Sequence, residues 1–254
     1  MTFWESLAVL LAGVGAGTIN AVVGSGTLIT FPVLLAFGLP TVTANVSNTI
    51  GLVPGSLSAA YGFRRELSGQ RTRLIRTGSA ALLGGLLGAF LLVKLPSKAF
   101  DAIVPVLILL ALVLVLLQPR LARALAARRA DGRGSGGDGG ALLLVGLFCS
   151  AVYGGYFGAA QGVLMLAIMG ILLDETMLRI NATKNVLAML VNGVAAVFFL
   201  FTSTVNWTAA GLIALGSVLG GLLGAKIGRR LPPAALRGVI VVVGLAAVIH
   251  LLTS

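Results

Sequence analysis

Lys184 is the one cation that the hydropathy pattern places inside an apolar span. A lysine near the middle of a membrane helix costs about 2.5 to 3.5 kcal/mol on insertion scales, which a purely structural role seldom warrants. The seven acidic residues fall at the N-terminus, in loops or near span ends, so no carboxylate is placed to pair with it. A small anion from solution is therefore the expected partner. The alternative is that Lys184 snorkels to the cytoplasmic surface, about 10 Å away along its helix.

Uncharged polar side chains share a helical face with Lys184, and a similar stripe occurs earlier in the chain. The two stripes are Asn181, Lys184, Asn185 and Asn192, and Asn45, Asn48, Thr49 and Ser56. Asparagine amides can donate hydrogen bonds to the oxygens of an oxyanion. Polar residues in membrane spans usually face the bundle interior, so we expect the stripes to enclose a polar cavity near the midplane. The alternative is that they only join helix to helix, at about 0.6 kcal/mol apiece.

The chain repeats itself with a constant offset of 136 residues. The motif Asn45-Val-Ser-Asn-Thr49 returns as Asn181-Ala-Thr-Lys-Asn185, and Gly84-Gly-Leu-Leu-Gly88 returns as Gly220-Gly-Leu-Leu-Gly224. Two copies of one hydrophobic unit with polar residues at matched depth are typical of membrane transporters built from structural repeats.

The composition excludes an ordinary soluble domain, because 58% of the residues are hydrophobic and only 10% are charged. The net charge of +11 lies mainly in three basic loops, which indicates membrane topology rather than nucleic-acid binding. One cysteine and one histidine exclude an internal disulfide and a Cys/His metal cluster, and no cofactor is implied. Without paired carboxylates or a serine beside a histidine, the chain is not expected to be an enzyme.

Two apolar runs are too short for two full membrane crossings and too long for one. They cover residues 7–38 and 141–173, and each predicts a helical hairpin that bends inside the membrane. The predicted bends are Gly24-Ser25-Gly26-Thr27 and Gly158-Ala-Ala-Gln161-Gly162. Irregular backbone at that depth requires protein or a water-filled cavity around it, and a helix that starts there directs N–H groups at the break. The bends are therefore candidate anion sites.

The charges predict how the halves are oriented. The basic loop at 64–76 corresponds to an uncharged loop after residue 201, whereas the basic segment 226–237 corresponds to the short turn at 94–98. By the positive-inside rule, equivalent loops lie on opposite sides, which predicts an inverted repeat with cytoplasmic basic loops and both termini outside. The expected fold is all-α, with two repeats, 1–118 and 141–254, each a broken hairpin plus three membrane helices. A cytoplasmic basic, glycine-rich linker at 119–140 joins them.

Several of these segments resemble the TauE/SafE sulfite exporter family, also called the TSUP family. The resemblance lies in Gly24-Ser-Gly-Thr-Leu-Ile-Thr-Phe-Pro32, Ala44-Asn45-Val-Ser-Asn48-Thr49 and Ala182-Thr183-Lys184-Asn185 with Asn192, and it spans both halves. It implies a bacterial inner-membrane permease for sulfur-containing anions such as sulfite, sulfonates, sulfoacetate or thiosulfate.

Together, the residues and the resemblance predict a carrier that works by alternating access. The residues predicted to bind substrate are Lys184, Asn45, Asn48, Thr49, Asn181, Thr183, Asn185, Asn192, Ser25, Gly24, Gly26, Gln161 and Gly162. The expected partners are a small anion and the lipid bilayer. Whether the protein forms a homodimer is left open. The alternatives are an anion channel or a transporter of another small organic anion.

Overall fold

The computed structural model describes residues 1–130, 139–227 and 233–253, and within these ranges all regular structure is helical. A 3-10 helix covers Arg64–Leu67. The ten α-helices are α1 Phe3–Val22, α2 Thr27–Ala36, α3 Thr41–Gly62, α4 Arg71–Lys94, α5 Ser97–Ala130, α6 Gly140–Tyr156, α7 Gln161–Leu172, α8 Met177–Thr202, α9 Trp207–Ile227 and α10 Pro233–Thr253. The prediction of an all-α fold is confirmed.

Five helices within the described ranges are long and apolar enough to cross a membrane. They are α1, α4, α8, the Ser97–Arg120 part of α5 and the Trp207–Lys226 part of α9. Helix α3 has 22 residues but is not among the five. Its asparagines and hydroxyl residues lower its hydropathy, so it depends on neighbouring helices to cover its polar face.

Each long apolar run folds as two helices with a break between them, as predicted. Helices α1 and α2 flank the first break, and α6 and α7 flank the second. Helix α5 continues beyond residue 118, where the first repeat was predicted to end, as far as Ala130. Residues 131–138 of the predicted linker lie outside the described residues, and the division into domains stays a prediction.

The two halves are interlocked by reciprocal contacts. Helix α1 packs against α9, and their counterparts at the 136-residue offset, α6 and α4, pack against each other. In the same way, α3 packs on α9 while α8 packs on α4, and α2 contacts α10 while α7 contacts α5. Each broken hairpin is therefore held mainly by helices of the other half. The inverted orientation itself stays a prediction.

Glycines allow these helices to approach each other closely. A Cβ added at Gly84 or Gly88 would fall on the backbone of α6, and one added at the equivalent Gly220 or Gly224 would fall on the backbone of α1. Lipid is as apolar as leucine, so association in the membrane depends on such close van der Waals packing. The repeated glycine motif therefore holds equivalent helix pairs in both halves.

Large apolar side chains cover the outside of the bundle. Phe201 is 85% exposed, and Val106, Leu215 and Val242 are between 61% and 69% exposed. A soluble monomer rarely shows so much exposed apolar surface. The surface is that of a protein whose surrounding medium is lipid.

Candidate functional site

The two helix breaks meet each other in the interior. The backbone N–H of Gly162, at the start of α7, donates to the carbonyl oxygen of Gly24 at 3.0 Å. Gly24 has a φ of +87°, and a Cβ there would lie 2.5 Å from the Cα of Gly162. Only glycine satisfies both conditions without strain. The sequence predicted each bend separately, and the structure joins them into one feature.

Each first arm ends with the same hydrogen-bond pattern. At the end of α1, the N–H groups of Val23 and Gly24 both donate to the carbonyl of Ile19, at 2.7 and 3.0 Å. At the end of α6, two successive N–H groups likewise donate to Tyr153. This is a usual way to stop a helix. The second break also holds Ala160 at a φ of +58°, an uncommon conformation for a residue with a Cβ.

Lys184 lies at the first break, where it binds the end of α1. Its Nζ donates to the carbonyl oxygens of Asn20 at 2.8 Å and Ala21 at 3.4 Å. The amides of Asn181 and Asn185 also donate to Ala21, at 3.1 and 3.2 Å. The last carbonyls of a helix lack intrahelical partners and carry the negative end of the helix dipole. One turn of α8 therefore caps α1 with a cation and two amides.

The surroundings of Lys184 are not those of a lysine that snorkels to the membrane surface. Its side chain is 0% exposed and points inward, so the ammonium does not reach the surface. Its methylene stem lies against the second break, because a Cβ on Gly162 would come within 3.0 Å of its Cδ. The prediction that Lys184 binds an anion stays a prediction. Sequence reasoning considered carboxylates and solute anions as partners and missed the backbone carbonyls.

The equivalent stripe on α3 makes a related but different set of contacts. The amide of Asn45 donates to the carbonyl of Tyr156, at the end of α6, at 3.0 Å. Asn48, the counterpart of Lys184, instead donates to Oγ1 of Thr27 at 3.2 Å and accepts from the hydroxyl of Thr30. The hydroxyl of Thr49 donates within its own helix, to the carbonyl of Asn45 at 2.9 Å. The first stripe thus reaches both the end of α6 and the beginning of α2.

Several hydrogen-bond donors without described partners lie at the beginning of α2. Ser25 is 0% exposed, and its hydroxyl makes no hydrogen bond with any described residue. The backbone N–H groups of Ser25, Gly26 and Thr27 also donate to no described residue. Gly26 allows this turn to pack directly on the carbonyl of Ala16 in α1. Four hydrogen-bond donors and the positive end of a helix dipole therefore lie together inside the protein.

The second break offers fewer free donors. The N–H of Gly162 is already used by Gly24. The side chain of Gln161 is 3% exposed, lies against Gly154 and has only a long contact, 3.9 Å, to the sulfur of Met165. The breaks were predicted as equivalent sites, but the first has more unused hydrogen-bonding capacity.

The two stripes meet at one pair of equivalent residues. Nδ2 of Asn192 lies 3.5 Å from the hydroxyl oxygen of Ser56, and Nδ2 of Asn20 lies 3.4 Å from the same oxygen. These separations are longer than strong hydrogen bonds, so the three groups hold each other loosely. Asn20 was missed by sequence reasoning. The only signal for it was an asparagine inside the first long apolar run.

Ionic and polar contacts join the two halves at the predicted cytoplasmic end. Glu175 binds Arg73 of α4 at 3.0 Å and Arg179 of α8 at 2.8 Å. Arg179 also donates to the carbonyl of Ser68, and the hydroxyl of Thr183 donates to Oε1 of Gln70 at 3.2 Å. Thr183, predicted to bind substrate, therefore lies in a contact between α8 and the loop after α3.

The predicted outer end has the matching contact without the charges. The N–H of Asn206 donates to the hydroxyl of Ser47 at 2.9 Å, and this pair corresponds to Gln70 and Thr183 at the 136-residue offset. The hydroxyls of Thr43 and Thr204 lie 3.3 Å apart beside it. Equivalent residues thus join the two halves at both ends of the bundle.

A separate cavity of about 500 Å³ lies beside the loop between α2 and α3. Asp101, Thr41, Pro40 and Leu251 are among its lining residues, and none of the predicted site residues lines it. The carboxylate of Asp101 would repel an anion, so we do not place the anion site there.

Helices long enough to span a membrane, together with broken helices that meet inside the bundle, define a multi-pass membrane protein with the architecture of a transporter. The family model described as "Sulfite exporter TauE/SafE" matches residues 9–251. The chain belongs to the TauE/SafE family, which confirms the resemblance found in the sequence.

Relatives with curated names point to the same class. A "Probable membrane transporter protein" of Haemophilus influenzae is 29% identical over 227 residues, covering 88% of this chain and 85% of the relative. The "Probable membrane transporter protein YfcA" of Escherichia coli K12 is also 29% identical over 227 residues, covering 85% and 76%. A Sinorhizobium protein named "Probable membrane transporter protein ORF9" is 26% identical, covering 94% and 89%. No solved structure gives a significant match.

Proposed function

We propose that this protein is a permease that carries small sulfur-containing anions, such as sulfite, a sulfonate, sulfoacetate or thiosulfate, across the bacterial inner membrane by alternating access. Membership of the TauE/SafE family supports the class of substrate. The observation that carries the proposal is the buried start of α2, where the Ser25 hydroxyl and three backbone N–H groups have no partners among the described residues.

The chemistry of this turn suits an oxyanion. Sulfite and sulfonate groups present three oxygens, each of which can accept hydrogen bonds, and the start of α2 supplies donors and positive dipole. Thr27 and Asn48 would complete the site from the side, because the Asn48 amide already contacts the Thr27 hydroxyl. Lys184, bound to the last carbonyls of α1, would supply positive charge a few residues away from Ser25.

The other predicted residues would act mainly by positioning the breaks. Asn181 and Asn185 hold the end of α1, from which the first break begins. Gly24 and Gly162 allow the breaks to touch. Asn192, with Ser56 and Asn20, would line the path next to the site, since their long contacts leave hydrogen-bonding capacity for a passing solute.

Alternating access is supported by the paired contacts at the two ends. In the orientation proposed from the basic loops, the Gln70–Thr183 contact lies at the cytoplasmic end and the Asn206–Ser47 contact at the outer end. Both join the halves, and they occupy equivalent positions in the repeat. Opening one while the other stays closed would expose the breaks to one side at a time.

The proposal can be tested by measuring the rate at which proteoliposomes take up radiolabelled sulfite, sulfate, thiosulfate and a short sulfonate. We compare wild type with Ser25→Ala and with Ser150→Ala, since Ser150 is also buried with an unpartnered hydroxyl but lies within α6. A hydrogen bond to a charged group contributes about 1.5 to 3 kcal/mol, so Ser25→Ala should raise KM by roughly tenfold or more. Ser150→Ala should leave KM unchanged.

The outcomes separate the alternatives. Saturable flux with counterflow supports a carrier, whereas flux that stays linear with concentration and shows no counterflow indicates an anion channel. If folded protein moves no sulfur anion, the proposed substrate class is wrong and other small organic anions become the candidates. Equal KM values for both serine variants would remove the start of α2 as the anion site.

A further inference from the structure

The end of α6 lacks the cation that caps the end of α1. Lys184 and two asparagines donate to the last carbonyls of α1. At the end of α6 the Asn45 amide donates to Tyr156, and the carbonyls of Gly154 and Gly155 accept no hydrogen bond from a described residue. The negative end of a second buried helix dipole is therefore largely uncompensated within the part of the chain that the structure describes.

The difference follows from one position in the repeat. Lys184 corresponds to Asn48, and Asn48 turns toward Thr27 and Thr30 of α2 instead of the end of α6. No other side chain among the described residues donates to Tyr156. The last carbonyls of α6 therefore accept no hydrogen bond from a lysine among the described residues.

The side chain of Asn45 places an acceptor atom without a described partner, Oδ1, near the end of α6. Its side chain is 0% exposed, its Nδ2 is fixed on the carbonyl of Tyr156 at 3.0 Å, and its Oδ1 makes no hydrogen bond with a described residue. Because both atoms belong to one small amide, Oδ1 lies close to the same helix end. Amide and carbonyl oxygens are ligands for a small hard cation and would repel an anion.

We propose that the end of α6 and Oδ1 of Asn45 form a binding site for Na⁺, which would be the coupling ion of the transporter. In one half of the molecule the amino group of Lys184 occupies the helix end, and in the other half a cation from solution would take the equivalent place. The coupling role rests on the proposed function, whereas Na⁺ binding does not.

The position of the site explains how the two solutes would be coupled. Asn45 and Asn48 are neighbours on one face of α3, about 5 to 6 Å apart at their Cβ atoms. Asn48 contacts the start of α2, where we place the anion, and Asn45 contacts the end of α6. A cation and an anion so close together inside the protein attract each other, so each should bind more tightly when the other is present.

The test is equilibrium binding of ²²Na⁺ to purified full-length protein in lipid nanodiscs, with choline as the replacement cation and without any sulfur anion. Wild type should bind ²²Na⁺ saturably. Asn45→Leu should weaken binding at least tenfold, and Asn45→Asp, which keeps acceptor oxygens and adds charge, should retain it. The matched control is Gln118→Leu, an amide replaced in α5 away from both breaks, which should bind as wild type.

Absence of saturable binding to wild type, or equal binding by wild type and Asn45→Leu, would overturn the site. Adding sulfite should tighten ²²Na⁺ binding in wild type. If Na⁺ binds but no sulfur anion tightens it or is transported, the cation site stands and the proposed substrate class falls. If sulfur anions are transported without Na⁺ binding, the permease stands and the cation site falls.

Discussion

Replacement of Lys184 by methionine separates its structural role from its electrostatic one. Methionine has a similar length and flexibility, so the stem that packs on Gly162 is largely preserved while the ammonium is removed. The carbonyl of Ala21 keeps two amide donors, from Asn181 and Asn185. The carbonyl of Asn20 loses the one donor that the structure shows for it.

Two contributions to the stability of the Lys184→Met protein have opposite signs and similar size: the lost hydrogen bond to the Asn20 carbonyl and the removal of a lysine from the membrane. An acceptor left without a partner costs about 1 to 3 kcal/mol. Removing a lysine from a membrane helix recovers about 2.5 to 3.5 kcal/mol on insertion scales. The net change in stability should therefore be within about 2.5 kcal/mol, which corresponds to a shift in Tm of less than about 10 °C for a chain of this size.

We expect Lys184→Met to stay folded and to lose at least tenfold in kcat/KM for the transported anion. Thermal unfolding of the purified protein and flux in proteoliposomes measure the two effects on the same preparation. Lys184→Gln, which keeps an amide donor but no charge, should be equally inactive. Lys226→Met is the control, because Lys226 is exposed in the last turn of α9.

Full flux in Lys184→Met would refute the electrostatic role. Flux that is lost in the methionine variant but restored in the glutamine variant would show that Lys184 acts as a hydrogen-bond donor to α1 and not as a charge.

Two further predictions concern the breaks and the cytoplasmic end. Gly24→Ala should lower Tm by more than Gly38→Ala does. Both glycines have a positive φ, but of the two only Gly24 would place an added Cβ against backbone atoms. Equal shifts in Tm would contradict the close approach of the two breaks. Glu175→Gln should destabilise the closed state of the predicted cytoplasmic end by about 1 kcal/mol, because it breaks two partly exposed ion pairs. The population in which this end is open should then rise roughly fivefold. Maleimide labelling of a Thr183→Cys reporter, with Cys149 replaced by alanine, measures this opening, and Asp174→Asn should not change the labelling rate.

Much of the fold could be predicted from the sequence because its signals are local. Runs of apolar residues between basic loops indicated membrane helices, and glycines at residues 24 and 158 located the breaks. The 136-residue offset indicated two equivalent units, and equivalent helices do make reciprocal contacts. The end of α5 could not be predicted in this way, because the alanine-rich, arginine-rich segment after residue 118 favours helix as readily as linker.

The amino-acid sequence by itself determined that the chain lies in a membrane, that it has two related halves, and that polar groups occur at matched depths in both. The tertiary structure alone decided what those polar groups contact. Every residue carries a backbone carbonyl, so no sequence pattern shows that those of Asn20 and Ala21 would receive Lys184. Which carbonyls and N–H groups lack partners depends on where helices end, and which side chains reach them depends on helices more than 150 residues apart in the chain. For this reason the donors at the start of α2 and the acceptors at the end of α6 became visible only in the folded protein.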